Sequence, residues 1–258
     1  MPESPAPAGT PESSPISLVR LNKAIADTGY CARRKADDLI SAGKVQVNGQ
    51  TVTEMGLKID PQRDVITIGG QPLISAEKAY LLFHKPTGYV TSRRGGRQQK
   101  TIYELLPAQY QSVDPAGRLD QDSSGALLLS NDGDFLFKIT HPRFHLSKLY
   151  EMTLDRPLSQ DEMAQLQSGI LLKPENKMAR MFRLVQDEQH SCRYQAELIT
   201  GYNRQIRRSL AAVGARVLTL HRLSFGSVAL GDLNPGQTRA LTSTEQAALL
   251  ENLAPNAT

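Results

Sequence analysis

Two short helical patterns followed by an alternation open the patterned part of the chain. In LVRLNKAIADTG, Leu18, Leu21, Ala24 and Ile25 share one helical face, and Gly29 stands where a helix stop is expected. ARRKADDLISAG places Ala32, Ala36, Leu39 and Ile40 on one face and stops at Gly43. VQVNGQTV then alternates around Asn48-Gly49, a strong short-range hairpin signal. KIDPQRDVITIGGQPL adds a turn at Pro61, the strand VITI and a turn at Gly69-Gly70. Two helices and a small sheet within residues 17–74 predict a compact module.

A second region, 78–250, is richer in strands. AYLLFHKP predicts a buried strand ended by Pro86, with GYVTS as its continuation. SGALLLS, LYEMTLDRP and RYQAELITG predict further strands. SQDEMAQLQSG predicts a capped helix ending at Gly169, and NRQIRRSLAAVGA one ending at Gly214. VLTLHRLSFGSVAL and ALTSTEQAALLENL complete the region. Strands outnumber helices, so the fold class is α+β with a mainly antiparallel central sheet rather than a doubly wound one. Residues 1–16, made of Pro, Ser, Ala, Glu and Gly, predict a disordered tail, 252–258 a frayed end, and Ile74–Lys78 a linker.

Composition narrows this picture. Of 258 residues 40% are hydrophobic and 22% charged, enough apolar material for a core. There is no apolar run of about 18 residues and no signal peptide, so a cytoplasmic protein without a membrane partner is expected. Cys31 and Cys192 lack the spacing of a disulfide framework or zinc site, and the five histidines suggest no metal. The net charge of +4 hides three local basic clusters: Arg33, Arg34 and Lys35; Lys85, Arg93, Arg94, Arg97 and Lys100; and Arg204, Arg207, Arg208, Arg216 and Arg222. Each could be a solvated face, but three flanking glycine turns point to phosphate neutralisation. Aromatic residues make up 5% of the chain and Trp is absent, which argues against a broad base-stacking platform.

The most informative stretch is AGRLDQDSSGALLLSNDG, residues 116–133. Asp120 lies in a polar turn ahead of a strand, two residues from Arg118, where a carboxylate can be held ionised beside a cation. On pattern alone a surface turn is the commoner reading. GRLDQDSSGALLLSNDG resembles the signature of the RsuA/RluB/RluE/RluF family of ribosomal RNA pseudouridine synthases. YLLFHKPTGYVTS, SKLYEMTL and GYNRQIRRSLAAVG resemble further segments of that family, in the same order. Residues 17–74 resemble the S4-like RNA-binding domain that precedes its catalytic domain.

The resemblance implies roles. Asp120 matches the catalytic aspartate, Tyr150 the tyrosine lying against the target base, and Arg207 the basic residue that pairs with the aspartate. Arg118 matches an arginine that helps hold the flipped nucleotide. RNA contacts are expected from Arg33, Arg34, Lys35, Lys85, Arg93, Arg94, Arg204 and Arg208. Isomerising uridine to pseudouridine exchanges a carbon–nitrogen for a carbon–carbon bond without redox change, so no cofactor is expected. The carboxylate could attack the sugar or the base, or assist glycal formation. Tyr150 could help remove the proton from carbon 5 or pack beneath the base. The uridine must leave any stack to reach it.

Some positions depart from the family. Tyr202 stands where Arg is usual, Ser209 where Met is common, and Ala32 where a capping Ser is usual. The expected partner is ribosomal RNA or a ribosome-assembly intermediate, met by a monomer, with large-subunit RNA preferred over small-subunit RNA from the wording of residues 32–49. The rivals are a non-catalytic RNA-binding assembly factor and a nuclease, the latter thinly supported by Asp120 and Asp122 alone.

Overall fold

The structure, a computed structural model, describes residues 18–251 apart from Ser75 and Arg97. The expected tail at 1–16, the frayed end at 252–258 and the basic residue Arg97 lie outside the described residues. The chain forms two compact units, Met1–Glu77 and Lys78–Thr258.

In the first unit, helices α1 (Leu21–Asp27) and α2 (Arg33–Ser41) pack on a four-stranded antiparallel sheet. Its strands are β1 (Val45–Val47), β2 (Gln50–Val52), β3 (Ile66–Ile68) and β4 (Gln71–Pro72), in the order β2-β1-β3-β4. The β1–β2 turn has Asn48 at φ 52° and Gly49 at φ 80°, as a two-residue hairpin requires. Asn48 also donates to Asp64 (2.8 Å) and accepts from the Val65 N–H (2.9 Å), so the turn is tied to the following loop. Leu21, Ala24, Ile25, Ala36, Ile40, Val45, Ile59, Ile66 and Ile68 form the core. Leu18 does not join them: Arg20 is extended, the helix starts one residue later, and Leu18 is exposed. Ala32 sits at the N-cap of α2 with no side-chain cap.

The second unit is built on a nine-stranded sheet. Its main strands are β5 (Tyr80–Lys85), β6 (Ser124–Ser130), β7 (Lys148–Leu154), β8 (Arg183–Gln186), β9 (Arg193–Leu198), β10 (Val217–Phe225) and β11 (Thr238–Ala240). They run in the order β8-β9-β7-β10-β6-β5-β11, with two-residue strands added at β6 and β10. Every pairing is antiparallel except β6–β10, which meets in parallel through Ser124–His221 and Gly125–Arg222. The ALLL run inside β6 is unbroken because both its faces are covered: Ala126 and Leu128 enter one core, Leu127 and Leu129 another.

Helices α3 (Gly133–Thr140), α4 (Gln160–Ser168), α5 (Gln205–Ala212) and α6 (Ser243–Glu251) complete the unit. Ser159 and Glu162 form the capping box that starts α4. Helix α3 was hidden in the sequence behind the SNDG turn; Asp132 caps it by accepting from the Asp134 and Phe135 N–H groups.

The expected continuation of β5 through GYVTS does not form. Pro86 has no N–H to continue a ladder, and Gly88 turns the chain at φ 91°. Only Val90 makes a single bridge, to Thr101. The segment instead grips the Asp120 loop: the Gly88 N–H donates to the Gln121 carbonyl (2.8 Å), and the Thr91 hydroxyl donates to the Leu119 carbonyl (2.8 Å).

Candidate active site

The GRLDQDS loop connects a two-residue strand to β6, and its backbone is held from beneath by Lys85. That side chain is fully buried and donates to the carbonyls of Asp120 (2.9 Å), Ser123 (2.8 Å) and Pro86 (3.1 Å). Burial pushes its pKa down to about 8, with Asp120 and Asp122 acting against the shift. A buried ammonium has three donors and no acceptor, so it suits a loop whose carbonyls converge. It cannot also reach a phosphate; the expected RNA contact for Lys85 is replaced by this anchoring.

The carboxylate of Asp120 is about one-third exposed (31%) and points into a cavity of about 740 Å³. Among the described residues, the cations Arg118, Lys148, Lys177, Arg204, Arg207 and Arg222 line that cavity, and Asp120 is its one acidic lining residue. Arg204 Nη1 lies 3.4 Å from Asp120 Oδ2. The N-cap of α5 is Arg204 itself, in the left-handed region at φ 46°, which turns its side chain back toward the loop. Arg207, in the first turn of the same helix, goes elsewhere. It lies 3.2 Å from Asp122 Oδ2 and donates to the Asp122 carbonyl (3.0 Å) and the Val217 carbonyl (3.1 Å). The expected Asp120–Arg207 pair is thus corrected: Arg204 meets Asp120 while Arg207 anchors its neighbour. Burial opposes the charge on Asp122, but the Arg204 hydrogen bond and the Arg207 charge hold its pKa below the ordinary value.

Tyr150 stands on β7 with its ring against the two cores that flank the cavity. A register shift between Leu149 and Tyr150 sets Tyr150 opposite Arg222 of β10. The Arg222 side chain is 2% exposed and donates to the Ala126 carbonyl (2.6 Å) and the Tyr150 hydroxyl (3.3 Å). Gly125 makes this placement possible: at φ 110°, an added Cβ would overlap the backbone carbonyl of Arg222. The glycine of the GRLDQDSSG motif is therefore what lets β10 close on β6. Lys148, two residues before Tyr150, donates to the Leu146 carbonyl (2.7 Å); burial and the nearby Arg222 lower its pKa to about 8. Neither Lys148 nor Arg222 was singled out from sequence, although one begins the KLY segment and the other ends a basic cluster.

The remaining expected contacts divide. Arg118 lines the cavity and is exposed, and Arg94 is exposed on its loop. Arg33, Arg34 and Lys35 are exposed at the start of α2. Arg93 is not free: it bonds Asp114 (2.9 Å) and the carbonyls of Gln111, Ser112 and Val113, and lies over the Tyr103 ring. Arg208 is clamped on Glu175 (2.7 Å) and on the carbonyls of Lys173 and Asn203. Both expected RNA contacts are corrected to structural ties. Tyr202 packs against a core cluster and also lines the cavity, and Ser209 is buried. Among the described residues no group of three His, Cys, Asp or Glu is placed to hold a metal.

This geometry can be set beside known proteins. Residues 79–212 match the family model of RNA pseudouridylate synthase, and residues 19–65 that of the S4 domain. The chain belongs to the RNA pseudouridine synthase family. Ribosomal large subunit pseudouridine synthase B of Bacillus subtilis is 36% identical over 231 residues, covering 88% of this chain and 94% of that protein. Ribosomal small subunit pseudouridine synthase A of Yersinia pestis is 33% identical over 233 residues, covering 90% of this chain and 98% of that protein. A pseudouridylate synthase of known crystal structure superposes with a TM-score of 0.65 at 31% identity, covering 90% of this chain and 99% of that one. The enzyme class, an isomerase acting on uridine in RNA, follows from that membership. None of the helices among the described residues is long and apolar enough to cross a membrane.

Proposed function

We propose that this pseudouridine synthase acts on ribosomal RNA in the cytoplasm, as a monomer, and that Asp120 carries the chemistry. The observation behind this reading is a single acidic residue among the described lining of a strongly cationic cavity, its backbone fixed by a buried lysine and its oxygen faced by Arg204. A nucleotide entering such a cavity has its phosphate neutralised, while its sugar–base junction meets that carboxylate. Cleavage of the C1′–N1 bond and re-formation at carbon 5 calls on a carboxylate at that junction, and Arg204 Nη1 stands 3.4 Å from it. Tyr150 lies where its ring can support the base. Residues 78–250 would hold the chemistry, and residues 17–74 would grip structured RNA through Arg33, Arg34 and Lys35. The partner is ribosomal RNA, naked or within a ribosome-assembly intermediate. The two relatives named above carry large- and small-subunit names, and we favour the large subunit.

The test is tritium release from 16S and 23S rRNA transcripts labelled at carbon 5 of uridine. Release by the wild type and not by Asp120→Ala is expected, from the large-subunit transcript. Equal release by both proteins would remove Asp120 from the chemistry.

A further inference from the structure

Residues 135–150 hold no Asp or Glu and carry Lys138, Arg143 and Lys148. Their exposed part gathers a compact aromatic and basic cluster. Helix α3 buries Phe135 and Ile139, which leaves Phe137 half exposed (50%). Past the helix end, Pro142–Phe144 form a single 3-10 turn, closed by His145 in the left-handed region at φ 51°. Helix and turn bring the rings together: the His141 ring lies 4.8 Å from the Phe137 ring and 6.1 Å from that of Phe144. The Arg143 guanidinium lies 4.4 Å from the Phe144 ring and 5.6 Å from the Phe137 ring. Thr140, one helical turn beyond Phe137, and Pro142, next to Arg143, line the cavity that holds Asp120. A lone exposed phenylalanine calls for no explanation. One grouped with a guanidinium beside a cationic cavity has the make-up of a surface for nucleic-acid bases.

We propose that this cluster, built on Phe137 and Arg143, is a stacking platform for an unpaired base of the RNA next to the uridine in the cavity. This rests on the reading of the cavity as a uridine site. A nucleotide that leaves its stack for a pocket strips one face of each neighbour. A planar apolar surface at the rim returns a stacking partner to one of those neighbours. Every base has a π-face, so the platform adds grip without dictating sequence. Arg143 adds a cation beside the phosphate chain. Counting aromatic residues over the whole chain conceals the cluster, because a helix end and a turn concentrate these few at one place.

The experiment measures, by fluorescence anisotropy, binding of the full-length protein to a short single-stranded RNA with one central uridine among adenosines. Versions with one adenosine at a time made abasic are compared with it. One abasic position beside the uridine is expected to weaken binding to the wild type about tenfold. Phe137→Ala should weaken binding of the intact RNA by a similar factor and should no longer distinguish that abasic version. Phe137→Tyr, which keeps a ring, should behave as the wild type. The salt dependence of Phe137→Ala should match the wild type, because no charge is lost. Wild-type binding indifferent to every abasic version overturns the proposal, whether or not a variant folds. So does an abasic penalty that persists in a Phe137→Ala protein whose thermal melting matches the wild type. Self-association of the wild type in sedimentation, lost in Phe137→Ala, would assign the face to a second copy and overturn it too. A penalty that depends on Phe137, in a protein that releases no tritium from rRNA, would defeat the proposed action on rRNA and leave the platform standing. Tritium release without any abasic penalty would do the reverse.

Discussion

The basic triplet of the small unit and the anchoring cations of the large unit are put to opposite uses. In the small unit Arg33, Arg34 and Lys35 stand exposed at the start of α2 and make no hydrogen bond or ion pair with other described residues. In the large unit Lys85, Arg93, Arg207 and Arg208 are each engaged with carbonyls or carboxylates, and Lys85 and Arg207 together anchor the Asp120 loop. A cation meant for a diffusing polyanion has to stay free; one meant to hold a loop has to be committed. Composition counts both alike. The difference lies in burial and partners, and it predicts which substitutions alter affinity and which alter chemistry or stability.

The largest effect should come from the loop itself. Asp120→Ala is expected to abolish tritium release while gel-shift affinity for rRNA stays within several-fold; collapse of binding would make Asp120 a structural residue. Lys85→Met should lower kcat by about 100-fold with KM little changed, since it frees the carbonyls that fix the aspartate. An unchanged kcat in the folded variant would show that Lys85 does not position the loop.

The small unit should respond in the other direction. Replacing Arg33, Arg34 and Lys35 together by Ala should weaken RNA binding and make its log–log salt dependence shallower by about 2–3, one for each phosphate that no longer meets a cation. Single-turnover rate at saturating protein should be unchanged. Arg93→Ala supplies the contrast: the salt dependence should not move, and stability should fall by about 1 kcal/mol as its bonds to the carbonyls disappear, read by thermal melting. A shallower salt slope in Arg93→Ala would erase the distinction between the two kinds of cation.

The smallest effect is one of pH. Lys85 titrates at about 8 in the fold against 10.5 for an ordinary lysine. Between those values the unfolded chain binds more protons, so the stability of the wild type should rise with pH in that window. Lys85→Met should lack this contribution, and parallel melting curves of the two proteins from about pH 8 to 10 would contradict the assignment.

Much of the fold was legible because it follows local rules. Asn48-Gly49 sets the hairpin, Ser159 and Glu162 the cap, and the unbroken apolar run of β6 its double burial. What stayed hidden depended on distant partners. GYVTS looks like a strand, and only the Asp120 loop lying beside it explains why it is a clamp. Asp120 and Tyr150 were visible through their motifs, and they do line one cavity. Which arginine meets Asp120 was not, because Arg204 and Arg207 lie one helical turn apart and Arg204 itself takes a left-handed backbone that no periodicity reveals. Arg222 was seen as one more member of a basic cluster, when its strand buries it.

The parallel seam between β6 and β10 also bears on the order in which the protein is made. It consists of two residue pairs, and its Ser124–His221 hydrogen bond joins positions 97 apart in sequence. Closing so long a loop is a late and slow event in folding. The hairpin-like pairing of β5 with β6 can form early in synthesis, and Lys85 can anchor the Asp120 loop then. Arg207 and Arg222 arrive only when α5 and β10 have emerged. A nascent chain therefore carries Asp120 well before it has Arg207 and Arg222, which complete the lining of the cavity.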